Sequence, residues 1–153
     1  MTFQPRHLAT RRALLGAALA SPLVARWAQA AGLPALAVWK DRTCTCCGGW
    51  VAHMRAAGFS ATVVETDDMD AVKRRFAGPD ALQSCHTATG DGYVLEGHVP
   101  AQDVRRLLTE RPAARGLAAP GMPASAPGMD LPGQPYRVIL FGTVSGDRVF
   151  AQH

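Results

Sequence analysis

Cys44-Thr45-Cys46-Cys47 and, further along the chain, Cys85-His86 contain all four cysteines of this 153-residue sequence. Three of the four thiols fall where a strand is predicted to end and a helix to begin. A hydrophobic core has little use for three thiols in one turn, whereas a soft metal ion or a redox couple does. Unpaired N–H groups and the helix dipole favour the thiolate at a helix N-terminus, so Cys44, Cys46 and Cys47 are expected to be unusually acidic. Thiolates that close repel one another, and either a disulfide or a bound cation relieves the repulsion.

Three chemistries compete for these residues. A dithiol oxidoreductase needs only Cys44 and Cys47, which have C-x-x-C spacing, and leaves Cys46 and Cys85 unused. A tetrahedral zinc ion would take all four thiols, but the side chains of the adjacent pair Cys46-Cys47 diverge, and the second C-x-x-C of structural zinc sites is missing. Monovalent copper accepts two or three thiolates and lets sulfur bridge several ions, which suits diverging cysteines on one turn faced by Cys85. Copper therefore fits best. A plain structural disulfide is the ordinary alternative, although such bridges usually staple distant segments.

His86 and His98 are candidates for ligands, or for hydrogen-bond partners of a bound thiolate. Surface or capping histidines fit the sequence equally well. His53 and His153 carry no assigned role. Asp67, Asp68 and Asp70 read as a helix start, and Lys73-Arg74-Arg75 as a solvated helix face. No nucleotide-binding glycine loop and no Ser/His/Asp arrangement stands out.

The elements that must position these residues follow from hydrophobic spacing. Leu36 to Trp39 reads as a short buried strand ended by Lys40-Asp41-Arg42. The helix starting at the cysteines has Trp50, Val51, Met54 and Ala57 on its apolar face, with Gly58 to end it. Ala61 to Glu65 is a second strand. Met69, Val72 and Phe76 keep helical spacing until Gly78-Pro79. Thr87-Ala88 and Tyr93 to Glu96 form a hairpin across Gly90-Asp91-Gly92. Pro100 suits the first turn of a third helix with Val104, Leu107 and Leu108 inward, ended by Pro112. Tyr136 to Phe141 and Arg148 to Ala151 form a final hairpin.

Residues 111–135 between that helix and the hairpin are rich in proline and glycine, and a loop this long is usually functional or disordered. It repeats one triplet, Pro120-Gly121-Met122 and Pro127-Gly128-Met129. Its methionines either plug gaps or bring thioether sulfurs near the thiolates as part of a lid. The order β-α-β-α-β-β-α plus an extension, with cysteines at the first strand–helix junction, resembles the thioredoxin-like fold. The expected class is α/β: a central mixed sheet flanked by helices, a Pro/Gly/Met-rich loop and a C-terminal hairpin extension. One departure from thioredoxins is that Ser84-Cys85-His86-Thr87 has no proline before the third strand, and Cys85 stands near that place.

Residues 1–30 read as an export signal. Arg6, Arg11 and Arg12 precede the short apolar stretch Ala13 to Ala20, and Ala28-Gln29-Ala30 is a small-x-small cleavage site. Thr10 to Leu15 looks like a twin-arginine signal. The apolar stretch is too short to favour a membrane span, for which about 20 apolar residues are wanted. The chain has 16 Lys+Arg against 12 Asp+Glu, but Arg6, Arg11, Arg12 and Arg26 lie in this segment. Without them residues 31–153 carry 12 of each sign and are neutral, so the basic balance is no argument for nucleic-acid binding. That remainder fits one domain with a single core.

Several segments together resemble a known family. Val38 to Trp50 carries a T-C-x-C-C signature followed by tryptophan. Leu82 to Thr87, Gly92 to Pro100, and Gly116 to Pro123 followed by Pro127-Gly128-Met129 are similar to its later blocks. The sequence is thereby identified with the CopG-like copper-resistance proteins of the bacterial periplasm, long described as a domain of unknown function. A departure is Thr45, where the family often has glycine. The resemblance implies a periplasmic thioredoxin-like domain that binds Cu(I) through Cys44, Cys46, Cys47 and Cys85 within a copper-resistance system. Its implied partners are copper ions and other periplasmic copper-handling proteins. Storage, transfer and copper oxidation all remain open on these residues, and a shift to Cu(II) would call for nitrogen ligands such as His86 or His98.

Overall fold

The first strand, β1 (Leu36–Asp41), alternates buried and half-exposed residues, and its end is set by Asp41. The Asp41 carboxylate accepts hydrogen bonds from the Thr43 amide at 2.7 Å and the Thr43 hydroxyl at 2.5 Å. The Asp41 carbonyl accepts from the Cys44 amide at 3.1 Å. This local turn stops the strand and delivers the chain to α1 (Thr45–Ala56) with Cys44 as its N-cap residue. Trp50 and Met54 are fully buried on the inner face of α1. Burying a tryptophan removes about 150–250 Å² from water, worth roughly 4–6 kcal/mol, so Trp50 fixes how α1 sits. Its indole Nε1–H donates to the Val99 carbonyl at 2.8 Å.

The computed structural model describes residue 1 and residues 32–76, 78–133 and 135–153. The expected export segment, residues 1–30, lies outside the described residues apart from Met1. After α1 come β2 (Ala61–Thr66), α2 (Met69–Phe76), a single 3-10 turn (Asp80–Leu82), β3 (His86–Gly90) and β4 (Tyr93–Glu96). Then follow α3 (Ala101–Glu110), β5 (Gly116–Ala118), β6 (Arg137–Phe141) and β7 (Arg148–Gln152). The strands form one mixed sheet in the order β2-β1-β3-β4-β5-β6-β7. Pairing is parallel for β1–β2 and β4–β5 and antiparallel for the other neighbours.

Side chains alternate across a strand, so each strand feeds both faces of the sheet. Leu95, Leu117 and Leu140 join Leu36, Val38, Trp50, Met54, Val104 and Leu107 in the main core, which packs α1 and α3 on one face. Their neighbours Val94, Ala118 and Phe141 meet Phe76 and Leu82 on the other face, beside α2. The Phe76 ring also packs on Trp39, with centroids 4.5 Å apart. The cysteine turn therefore lies at the N-terminus of a helix clamped onto the sheet. Among the described residues no helix is long and apolar enough to cross a membrane.

The expected elements are present, with two corrections. The Pro/Gly-rich segment 111–135 contains β5, which pairs Gly116 with Val94 and Leu117 with Leu95. This short strand continues the sheet into the C-terminal hairpin, so the hairpin is part of the sheet. Lys73, read as part of a solvated face, is instead folded inward: its ammonium meets the fully buried Glu96 carboxylate.

Candidate functional site

The turn before α1 and the start of β3 lie side by side because β1 pairs with β3, Lys40 opposite His86. That pairing brings Cys85 to the cysteine turn. The ligand atoms of Cys44, Cys46, Cys47 and Cys85 all lie within 4.8 Å of one another. Cys44 and Cys47 are joined as a disulfide, with Cα atoms 5.6 Å apart, and Cys46 and Cys85 are free thiols. Cys46 Sγ lies 3.6 Å from Cys44 Sγ. Cys47 is completely buried, whereas Cys44, Cys46 and Cys85 are half-exposed. Burial, followed by the neighbouring Cys46, pushes the Cys85 thiol up to about 11.

Cys85 also belongs to a second cluster, with His86 and His98. His98 Nδ1 lies 2.7 Å from the Pro127 carbonyl, which only accepts, so Nδ1 carries the proton. The other ring nitrogen, Nε2, is then a lone-pair acceptor for the Cys85 thiol at 3.0 Å. Burial lowers the His98 pKa and keeps this ring neutral. His86 Nδ1 is 3.4 Å from Cys85 Sγ, and its ring packs on Trp50 with centroids 4.4 Å apart. His86 Nε2 is buried without a hydrogen-bond partner among the described residues. Both histidines thus face the cysteine centre. His53 and His153 do not: His53 Nε2 accepts from the Ala101 amide, and His153 pairs with Asp103 at 2.7 Å.

Burial lowers the His86 pKa to about 3, with smaller contributions from His98 and Lys73. An ordinary unfolded histidine takes its proton near pH 6.5. Between pH 6.5 and 3 the unfolded chain therefore holds a proton at this position that the folded chain refuses. Stability is complete above that window and falls through it as pH drops, by up to about 1.4 kcal/mol per pH unit. The metal-free protein is expected to lose urea resistance steeply between pH 6.5 and 4. The same series on His86→Gln should give a shallower loss, and parallel curves would show that His86 does not carry the effect.

Two features of the site go beyond what the sequence reading assigned. The first is a buried polar group beneath Cys85. The Glu96 carboxylate accepts from the Ser84 amide at 2.7 Å, from the Thr87 hydroxyl at 2.6 Å and from the Lys73 ammonium. It ties the Ser84 backbone and the Thr87 side chain, on either side of Cys85-His86. The second is a strap made by the repeated triplet. Gly121 bonds to Gln83 through its amide and accepts from the Ser84 hydroxyl, next to Cys85. Gly128 lies on the first turn of α1, and Pro127 holds His98. Each triplet grips one of the two cysteine segments. Met122 itself is 59 % exposed and Met129 half-buried.

These features define a mixed α/β domain whose helix start, β3 and strap converge on four sulfurs and two imidazoles. Residues 82–129 match a family model described as a protein of unknown function, DUF411. Two solved structures, copper resistance protein CopG form 2 and form 1, each share 41% sequence identity with this chain. Each comparison covers 79% of this chain and 98% of the CopG chain, with TM-scores of 0.74 and 0.73. No curated protein matches the sequence. The chain belongs to the CopG copper-resistance protein family.

Proposed function

We propose that the protein is a periplasmic copper-binding protein that contributes to copper resistance by holding Cu(I) in a multi-cysteine thiolate site. The observation that carries this reading is the convergence of Cys44, Cys46, Cys47 and Cys85, all within 4.8 Å. Thiolates select soft Cu(I), and sulfurs this close bridge more than one ion. Membership of a copper-resistance family supports the choice of metal, and the twin-arginine-like segment supports export to the periplasm. The element order and the site at a strand–helix junction support a thioredoxin-like domain. His86 and His98 supply nitrogen donors at the edge of the sulfur set.

A second reading, a thiol–disulfide or copper oxidoreductase using Cys44 and Cys47, draws on the disulfide between those two residues. The two readings separate by mutation. Anaerobic titration of the fully reduced protein with Cu(I), against a competing chelator, is expected to give more than one ion per chain. Each single Cys→Ser change should then lower the number bound, and Cys46→Ser or Cys85→Ser should do so as strongly as Cys44→Ser. Disulfide reductase activity that survives Cys46→Ser and Cys85→Ser, with no Cu(I) bound by the parent protein, would establish the second reading instead.

A further inference from the structure

The disulfide takes two of the four sulfurs out of use, and the two it leaves are not scattered. Cys46 and Cys85, the free thiols, face each other within 4.8 Å across the cysteine turn and the start of β3. Two metal–sulfur bonds of about 2.3 Å in line place their sulfurs about 4.6 Å apart. The two sulfurs are thus close enough for one ion to be held between two thiolates, an arrangement that suits Cu(I) and leaves zinc two ligands short. His98 Nε2, 3.0 Å from Cys85 Sγ, has its lone pair directed at that member of the pair.

We infer that the Cys44–Cys47 bond sets two copper capacities: closed, Cys46 and Cys85 hold a single Cu(I); opened by an external dithiol, all four thiolates hold a larger set. This rests on the copper-binding reading above and assigns its regulation. Access dictates the order of the opening steps. Cys47 is fully buried and Cys44 half-exposed, so a donor thiolate attacks Cys44 Sγ. The S–S bond breaks and Cys47 Sγ departs with the electron pair as a thiolate in the first turn of α1, where the helix dipole stabilises it. The donor's second thiolate then attacks the donor sulfur of the mixed disulfide and releases the Cys44 thiolate. Two electrons pass to the protein, the donor ends as a disulfide, and Cu(I) takes the place of protons on the freed sulfurs. A dithiol reductant is therefore the class of co-reactant that must act before the full copper load is taken up.

The test compares two states of one protein. Purified protein with Cys44–Cys47 closed is defined by a count of two free thiols in denaturant, and the reduced form by four. Each is titrated anaerobically with Cu(I) against a chelator, with no thiol present. The closed form should bind one Cu(I), and the reduced form more than one. In the closed state Cys46→Ser and Cys85→Ser should each abolish the single ion. The double variant Cys44→Ser/Cys47→Ser should bind one ion with or without dithiothreitol pretreatment; if it does not fold, the two states of the parent protein still decide. Equal stoichiometry in the two states, or no Cu(I) in a closed form that has two free thiols, overturns the inference. Absence of Cu(I) from the fully reduced protein is a different result, which would instead remove the copper-binding reading.

Discussion

Replacing Lys73 with methionine is expected to destabilise the protein by about 3–5 kcal/mol, the usual cost of stripping a buried charge of its partner. Glu96 is fully buried, and the Lys73 side chain is only 10% exposed. Without the ammonium the carboxylate keeps the Ser84 amide and the Thr87 hydroxyl but loses its counter-charge. The companion change Glu96→Gln should recover much of the loss in the double variant. A neutral amide still accepts from Ser84, and no charge is left unpaired. Urea denaturation of the parent, both single variants and the double variant closes the cycle. A loss below about 1 kcal/mol in Lys73→Met, the range of exposed ion pairs, would mean that Glu96 is reached by solvent. The pair matters to the site because Glu96 holds the amide directly before Cys85, so the single variants should also make Cys85 more reactive to alkylation.

This pair marks where the sequence stops being informative. Lys73 stands in Lys73-Arg74-Arg75, a run whose composition says solvated face, and Arg74 and Arg75 are indeed exposed. Its partner lies on β4, and only tertiary packing brings α2 over that strand. The cysteine centre was legible for the opposite reason. Three thiols in one turn are visible without knowledge of any long-range contact, and a strand pattern beginning at His86 implies that Cys85 lies at a strand start. The C-x-x-C spacing singles out Cys44 and Cys47 as the couple, and these are the two joined as a disulfide, but spacing alone does not rank that couple against a metal site that uses all four thiols. The helices and most strands follow hydrophobic period. β5 does not, since Gly116-Leu117-Ala118 is too short to display alternation and sits in a segment rich in turn formers. The repeated Pro-Gly-Met triplet was visible as a repeat. That its glycines seat against the cysteine segments depends on close backbone approach, which sequence does not encode locally.

Those two glycines provide the last expected result, because their surroundings differ. Gly128 has φ +87°, and a Cβ there would lie 2.3 Å from the Trp50 amide nitrogen, 2.7 Å from the Gly49 carbonyl carbon and 3.0 Å from the Cys46 carbonyl oxygen. All three are backbone atoms of a helix fixed by Trp50, so they cannot turn aside. Gly121 has φ +69°, but a Cβ there would meet nothing within 4 Å. Gly121→Ala should therefore cost only the left-handed backbone preference, about 1–2 kcal/mol. Gly128→Ala adds overpacking to that strain, for a total of about 3–5 kcal/mol, unless the strap lifts from α1. Lifting would draw the Pro127 carbonyl away from His98 Nδ1 and free the backbone at Cys46. The two outcomes are read together: the thermal midpoint of each variant, and the rate at which a maleimide modifies Cys46 and Cys85. Gly128→Ala is expected to lower the midpoint well below that of Gly121→Ala and to speed modification, because a displaced strap releases the backbone at Cys46 and the His98 ring beside Cys85. Indistinguishable midpoints and labelling rates in the two variants would show that the second triplet does not seat on the first turn of α1.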